Sequence, residues 1–200
     1  MSNSTITLFD GKNFSGSALE LTQACSDLGK RNFKDKTTSV KVDGGGSWVL
    51  FQYTNYEGDA WVVKPGQYPD AGAWHGRDND ALSARPVEEL EEIEFLQLSN
   101  QGAFTVYLSA KYSNGDGVKE GGYTGSMPFN VGETRTDDLH DLRVPEGAVC
   151  WLFVKVTWGS DHTVRKERFV YRKGCGKIAS YRIEGTTLDN SLHYDGIRSK

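Results

Sequence analysis

Two stretches of this sequence share one pattern: Phe9-Asp10-Gly11-Lys12-Asn13-Phe14-Ser15-Gly16 and, 42 residues later, Phe51-Gln52-Tyr53-Thr54-Asn55-Tyr56-Glu57-Gly58. Each places two aromatic residues five positions apart, with Asn before the second and Gly two positions after it. The spacing predicts a folded hairpin whose rings pack together and whose glycine takes a positive φ. Because the hairpin occurs twice, among short strands and frequent turns, the sequence predicts a sandwich of two Greek keys.

A second pair of segments repeats in the same order. Lys34-Asp35-Lys36-Thr37-Thr38-Ser39 matches Asn79-Asp80-Ala81-Leu82-Ser83-Ala84 when the two are aligned 45 residues apart. Each segment offers a carboxylate, a backbone carbonyl and a hydroxyl within a few residues, and these are oxygen ligands that Ca²⁺ takes. The same residue types also cap turns without any metal, so a metal site and a simple turn are both open at this point.

The doubled aromatic pattern resembles the βγ-crystallin family, whose hallmark is Y/F/W-x-x-x-x-Y/F/W-x-G in the first hairpin of each Greek key. The region of Trp61 and Gly66-Gln67-Tyr68-Pro69-Asp70 is similar to that family's second motif. The resemblance covers about residues 4–87. It implies an all-β fold with a βγ-crystallin double Greek-key domain over residues 1–88, its two Greek keys spanning 4–46 and 47–88.

The second repeat is similar to the family's calcium signature, N/D-N/D-x-x-S/T-S. The resemblance implies that the carboxylate of one loop joins the hydroxyl of the other, and that backbone carbonyls complete the set. The implied metal ligands are Asp35, Lys36, Thr38, Asp80, Ala81 and Ser83. Because Lys34 stands where the signature has Asn or Asp, and its ammonium opposes a cation, we expect up to two Ca²⁺ ions of unequal affinity.

Residues 89–200 carry no third copy of the aromatic pattern. Short alternating segments separated by turn residues predict a second antiparallel β-sandwich domain there. These segments are 93–98, 104–112, 126–131, 148–158, 166–172, 177–184 and 191–195. The placement of Cys150, Trp151 and Cys175 is loosely similar to an immunoglobulin domain, and a Cys150–Cys175 disulfide is an open alternative to free thiols. The layout as a whole resembles that of the abundant perithecial proteins of fungal fruiting bodies.

Composition argues against several classes of function. With 23 Lys and Arg against 27 Asp and Glu, the net charge of −4 argues against a nucleic-acid partner. No apolar run approaches the roughly 18 residues that span a bilayer, and the first residues lack the pattern of a secretion signal. We therefore expect no membrane partner and a cytoplasmic location. No Gly-x-Ser-x-Gly, phosphate-binding glycine loop or His-Glu-x-x-His motif occurs, so we expect no enzymatic activity.

The sequence thus predicts a non-enzymatic, calcium-binding structural protein. The alternative is a carbohydrate-binding, lectin-like module in which exposed rings stack on sugars. The candidate rings are Trp61, Trp74, Tyr53 and Tyr123, and burial of a ring removes it from that role. Glycan binding and oligomerisation are further options that no motif supports.

Overall fold

The structure is a computed structural model that describes residues 4–123 and 128–200. Within those residues the regular elements are strands and short 3-10 helices. The strands are β1 (Thr5–Phe9), β2 (Ala18–Leu21), β3 (Ser39–Asp43), β4 (Trp48–Phe51), β5 (Ala60–Val63), β6 (Gly66–Tyr68), β7 (Ser83–Pro86), β8 (Glu91–Ile93), β9 (Phe95–Asn100), β10 (Val106–Ser113), β11 (Val118–Glu120), β12 (Thr134–Asp138), β13 (Val149–Val156), β14 (His162–Thr163), β15 (Phe169–Tyr171), β16 (Lys177–Gly185) and β17 (Asn190–Ser199). The 3-10 helices are Lys12–Phe14, Leu28–Arg31, Thr54–Tyr56 and Val87–Glu89. The predicted all-β fold is confirmed.

The chain divides into two compact units. The N-terminal unit runs to Leu90 and includes Ser113–Val118, and the C-terminal unit comprises Glu91–Tyr112 and Lys119–Lys200. No helix among the described residues is both long and apolar enough to cross a membrane. The predicted strand at 126–131 lies partly outside the described residues.

The N-terminal unit contains two sheets that exchange one segment each. One sheet has the order β2-β1-β3-β6 and the other the order β5-β4-β7. Strand β6 follows β5 in the chain but pairs with β3, while Cys25, which follows β2, pairs with Ala84 of β7. The second Greek key therefore gives strand β6 to the sheet of the first, and the first gives the bridge at Cys25 to the sheet of the second, which joins the two keys around one core.

The aromatic repeats form the predicted folded hairpins. The rings of Phe9 and Phe14 lie 5.8 Å apart between centroids, and those of Phe51 and Tyr56 lie 5.5 Å apart, both edge to face. The glycines two positions later have φ of 77° and 81°. Phe14 and Tyr56 themselves take φ of 62° and 65°, a strained conformation for an aromatic residue that the surrounding contacts must offset.

The core of the N-terminal unit lies between its two sheets. Alternate residues of the strands point inward and are buried, as the period of two predicts. This core consists of Ile6, Leu8, Leu19, Leu21, Leu28, Phe33, Val40, Val42, Trp48, Leu50, Trp61, Val63, Trp74, Ala81 and Ala84. Three tryptophans in one small core, Trp48, Trp61 and Trp74, contribute large buried areas.

The C-terminal unit is a second sandwich. One of its sheets has the order β11-β10-β13-β15-β8 with β14 beside β13, and the other has the order β12-β9-β16-β17. Two neighbouring pairs, β8 with β15 and β9 with β16, are parallel, which the prediction of an antiparallel sandwich did not include. Parallel neighbours need a long connection, and here the first two strands of the unit pair with strands near its end. The likeness to an immunoglobulin domain stays a prediction.

All three cysteines are free thiols. Cys150 is fully buried in β13, where burial raises the pKa of its thiol. Cys25 and Cys175 are partly exposed. The alternative of a Cys150–Cys175 disulfide is therefore not the state that this structure has.

Candidate metal centre

The two loops that lead into β3 and β7 are equivalent with an offset of 44 residues. Ser39 lies opposite Phe9 and Ser83 lies opposite Phe51 in the two sheets. The N–H of Thr38 donates to the carbonyl of Phe9, and the N–H of Leu82 donates to that of Phe51, both at 2.9 Å. The alignment by 45 residues that the sequence suggested is therefore wrong by one residue, because it matched Thr38 with Ser83 on hydroxyl chemistry alone.

The corrected register changes which residues occupy the signature. Asp35 corresponds to Asn79, and both take a left-handed φ, 53° and 59°. The two Asn/Asp positions of the second loop are then Asp78 and Asn79. Its hydroxyl position, matching Thr38, holds Leu82.

Three oxygen-bearing side chains meet across the two loops. The Thr38 hydroxyl lies 2.8 Å from Asp78 Oδ1 and 3.3 Å from Asn79 Oδ1. The N–H of Asn79 donates to the carbonyl of Thr37 at 3.0 Å, which ties the loops together at this point. The indole N–H of Trp74, itself 1% exposed, donates to the Thr38 carbonyl and fixes that residue from the core side. The hydroxyl of Thr38 on one loop thus lies beside a carboxylate of the other loop, and that carboxylate belongs to Asp78 and not to Asp80.

Two of the ligands predicted on the second loop, Ser83 and Asp80, have other partners. The Ser83 hydroxyl is buried, donates to the carbonyl of Tyr53 at 2.6 Å and accepts the N–H of Tyr56 at 3.1 Å. These two hydrogen bonds stabilise the folded hairpin. In the first Greek key the Ser39 hydroxyl likewise accepts the N–H of Phe14 and donates to the carbonyl of Gly11. The Asp80 carboxylate lies 3.3 Å from the Arg77 guanidinium.

The other predicted ligands lie on the same loops without contacting the three oxygens by their side chains. Asp35 is exposed, and Ala81 is fully buried in the core. The ammonium of Lys36 points to the carbonyl of Asn32 at 3.2 Å, so its charge is directed along its own loop. The backbone carbonyls of Lys36 and Ala81 stay predictions.

The chemistry of the three oxygens fits a hard divalent cation. Ca²⁺ takes carboxylate, amide and hydroxyl oxygens at about 2.3–2.6 Å, and oxygens that lie about 3 Å from one another can share one such ion. The guanidinium of the neighbouring Arg77 is engaged by Asp59 at 3.0 Å and by Asp80 at 3.3 Å. Its charge is therefore partly balanced away from Asp78. Among the described residues no cluster of three or more His, Cys, Asp or Glu side chains forms a metal site, so a site here must combine the single carboxylate of Asp78 with amide, hydroxyl and backbone oxygens.

The sequence contains a signal for Asp78 that the alignment with an offset of 45 residues does not use. Asp78-Asn79 is itself a pair of adjacent Asn/Asp residues, and Asn tolerates the left-handed backbone that this loop needs. Aligning the hairpin serines, Ser39 with Ser83, recovers the pair.

The rings considered for sugar stacking are mostly in the core. Trp61 and Trp74 are buried and pack edge to face with 5.9 Å between centroids. Only Tyr53 and Tyr123 of the four candidate rings are exposed. The prediction that either tryptophan presents a face to a sugar is therefore wrong.

Comparison with known proteins agrees with this architecture. Residues 5–87 match the family model described as Beta/Gamma crystallin. Those residues are a βγ-crystallin domain. Gamma-crystallin N of Rattus norvegicus is 34% identical over 82 residues, which cover 41% of this chain and 44% of that protein.

Two further relatives show how far the similarity extends. Gamma-crystallin S of Cyprinus carpio is 29% identical over 151 residues, or 74% of this chain and 76% of that protein. The solved structure of a beta gamma crystallin from Ciona intestinalis is 34% identical and covers 40% of this chain and 96% of that chain, with a TM-score of 0.39. The chain spans less than half the length of gamma-crystallin N. The likeness in layout to abundant perithecial proteins stays a prediction.

Proposed function

We propose that the βγ-crystallin domain is a non-enzymatic structural domain that binds one Ca²⁺ ion through Thr38, Asp78 and Asn79. The observation that carries the proposal is the meeting of three oxygens from two loops, at 2.8 and 3.3 Å from the Thr38 hydroxyl. Up to two ions were expected from the sequence. The corrected register supports one.

The reciprocal position supports no second ion. It combines Leu82, which has no hydroxyl, with Lys34, whose ammonium opposes a cation. Asp35 is the only carboxylate of that loop between positions 34 and 39. The site at Thr38 and the position at Leu82 are therefore expected to differ in affinity, since the first has a hydroxyl, a carboxylate and an amide oxygen together and the second lacks the hydroxyl.

Calcium would act on stability through linkage. An ion that binds only the folded domain adds RT ln(1 + [Ca²⁺]/Kd), about 2.7 kcal/mol at a hundredfold excess over Kd. Because Asp78 supplies a single formal charge, and affinity rises with the number of charged ligands, we expect a site weaker than one with several carboxylates.

The first experiment is a calorimetric titration of metal-stripped protein with CaCl₂, paired with melts in calcium and in chelator. Asp78→Asn keeps the shape of the side chain and removes its charge, and we expect it to weaken binding about tenfold or more. The matched control is Asp80→Asn, two residues away, which we expect to leave stoichiometry unchanged and affinity within about threefold.

A gain-of-function variant tests the explanation of the single site. The double substitution Lys34→Asp, Leu82→Thr gives the reciprocal position an acid and a hydroxyl, and we expect the stoichiometry to rise from one to two. The proposal is overturned if wild-type protein shows no heat and melts identically in calcium and chelator. The Thr38–Asp78 contact is then a turn cap only. It is also overturned if Asp80→Asn abolishes binding while Asp78→Asn does not.

A further inference from the structure

The most exposed large apolar side chains of the described residues lie in the C-terminal unit. Trp158 is 93% exposed, Leu188 is 90% exposed and Val131 is 58% exposed, whereas no other large apolar side chain among all the described residues exceeds 43%. Monomeric proteins tolerate single exposed apolar residues, but a group of them at one place marks an interaction surface.

These three residues lie on loops at the same end of the sandwich. The carbonyl of Asn100 accepts the N–H of Gly132, which follows Val131, and the carbonyl of Gly185 accepts the N–H of Ala103. The N–H of Thr157 donates to the carbonyl of Thr105. The loops 101–105, 129–133, 157–161 and 186–189 are thereby joined, and we call them the apolar end.

Trp158 and Leu188 stand on adjoining turns. Gly159 approaches the second turn so closely that a Cβ there would come 2.5 Å from the carbonyl oxygen of Thr187. Trp158 precedes Gly159 and Leu188 follows Thr187, and these two are the most exposed apolar side chains of the group. The apolar end therefore presents these two exposed side chains from turns that touch each other.

Both turns are held in place by hydrogen bonds. The Asn190 amide donates to the carbonyls of Thr186 and Thr187, and Asp189 and Thr186 bond to each other through backbone and hydroxyl groups. In the other turn the Asp161 carboxylate accepts the N–H of Val156 at 3.0 Å. Apolar side chains on ordered turns lose little further freedom when they dock.

Trp158 sits in a backbone conformation that is costly for its type. Its φ is 63°, which glycine and asparagine adopt readily and a bulky aromatic residue does not. Its ring is almost wholly exposed, so the hydrogen bonds of the turn hold this conformation without help from packing of the ring. A bulky residue kept in such a conformation on a surface turn is typical of a functional position.

The charges around these residues favour one kind of surface. The four loops contain Glu133, Asp161 and Asp189 and no Lys or Arg. Along the chain the nearest Lys and Arg residues are Arg135 and Lys155, each the second residue from the end of its strand, and His162 directly follows Asp161. The net negative charge of these loops opposes an anionic surface and a second copy of the same end. It complements a cationic outer layer, and an exposed indole binds quaternary ammonium groups through its π face.

We propose that the apolar end docks on a phosphatidylcholine bilayer, whose outermost group is trimethylammonium. Trp158 and Leu188 enter the interfacial layer, where tryptophan is favoured, and the carboxylates remain among the choline groups. The sequence predicted no membrane partner because it contains no segment long enough to span one. Docking by loop tips needs no such segment.

The other four tryptophans make the test selective. Trp48, Trp61, Trp74 and Trp151 are all at most 3% exposed, so fluorescence quenching from the lipid phase reports on Trp158. The full chain is mixed with vesicles of phosphatidylcholine brominated on the acyl chains. We expect quenching of a minor part of the emission and co-sedimentation with the vesicles. Both should persist at high salt, because burial of the apolar side chains dominates, and both should weaken at low salt as phosphatidylserine replaces phosphatidylcholine.

The key variant is Trp158→Asn, since asparagine accepts the left-handed backbone and the fold is kept. We expect it to lose the lipid-dependent quenching and to reduce co-sedimentation about tenfold, and Leu188→Ser to reduce co-sedimentation about threefold. The matched control is Tyr53→Ser, an exposed aromatic of the N-terminal unit, which we expect to bind as wild type does.

Four results overturn the proposal. The first is the absence of quenching and co-sedimentation at millimolar lipid. The second is equal or tighter binding to phosphatidylserine. The third is competition by soluble phosphocholine that removes all binding, which identifies a small-molecule site instead of a membrane surface. The fourth is dimerisation by light scattering that Trp158→Asn abolishes, which assigns the apolar end to a second copy.

Discussion

The hydroxyl of Ser83 distinguishes the register seen in the structure from the one suggested by the sequence. In the sequence alignment Ser83 is a calcium ligand, so Ser83→Ala should destabilise the protein only when calcium is present. In the structure Ser83 fastens the second folded hairpin, donating to Tyr53 O at 2.6 Å and accepting from Tyr56 N at 3.1 Å. The substitution should then destabilise the domain without any metal.

The magnitude follows from the bonds that the substitution removes. Each of the two hydrogen bonds contributes about 0.5–1.5 kcal/mol net, and leaving a partly buried carbonyl and N–H without a partner adds a desolvation cost. Tyr56 also loses a contact that holds it at its positive φ of 65°. We expect the free energy of unfolding to fall by about 2–3 kcal/mol.

The assay is urea unfolding in excess chelator, followed by the fluorescence of the buried tryptophans. At an m-value of about 1–3 kcal/mol/M, the midpoint should fall by about 0.7–3 M. Ser39→Ala, at the equivalent position, should behave alike, and Ser17→Ala, an exposed serine of the first key, should change stability by less than about 0.5 kcal/mol. A Ser83→Ala protein that unfolds like wild type in chelator, and loses stability only in calcium, would refute the register of 44.

Three further outcomes follow from other residues. The Thr37 hydroxyl is buried without a hydrogen-bond partner, so Thr37→Val should stabilise the domain by up to about 1 kcal/mol in urea unfolding; destabilisation would mean that the hydroxyl has a partner in solution. The Gly174 and Gly176 N–H groups lower the pKa of Glu94. Wild type should therefore exceed Glu94→Gln in stability at neutral pH, and the difference should shrink as the pH falls through the folded-state pKa, while a pH-independent difference would contradict this cause. Because Cys150 is buried with a raised thiol pKa, native protein should expose at most two of its three thiols to a thiol reagent at pH 8, and three fast thiols would contradict the fold.

The fold of the N-terminal half could be predicted because its signals are local. Each hairpin is specified within eight residues by two aromatics five positions apart, an asparagine before the second aromatic and a glycine two positions after it. The segments Phe9–Gly16 and Phe51–Gly58 could therefore be identified without knowing the tertiary structure. The exchange of β6 and the Cys25 segment between sheets depends on long-range pairing. Periodicity alone carries no information on such partners.

The parallel pairs of the C-terminal sandwich were missed for the same reason. Alternation predicts that a segment is a strand with one buried face, but it does not give the direction of its neighbour. Strands β8 and β9 open the unit and pair with β15 and β16 near its close. Exposure on loops was equally unpredictable, because the alternation predicted a strand over 148–158 that ends with Trp158, whereas β13 ends at Val156 and Trp158 lies on the turn beyond it.

The candidate metal site was found in part, and the error has a physical origin. The first loop has two adjacent hydroxyls: that of Thr38 contacts the second loop, and that of Ser39 stabilises the hairpin. The second loop has only the hydroxyl that stabilises the hairpin, that of Ser83. A comparison by residue type must match the one remaining hydroxyl to one of the two, and calcium chemistry favoured the wrong one. Strand register decides the matter, because Ser39 and Ser83 both lie opposite the first aromatic of their hairpin.

That asymmetry also bears on what calcium does for this domain. The hairpin serine is present in both Greek keys, as Ser39 and Ser83. The hydroxyl proposed as a ligand is present only in the first, as Thr38, and Leu82 takes its place in the second. The serine hydrogen bonds that satisfy backbone groups of the two folded hairpins are therefore present in both halves without a metal. We expect the domain to be folded in chelator and calcium to add stability only through the loop pair of Thr38 and Asp78. A chelator-treated domain that lost its tertiary structure would mean instead that the ion is part of the fold.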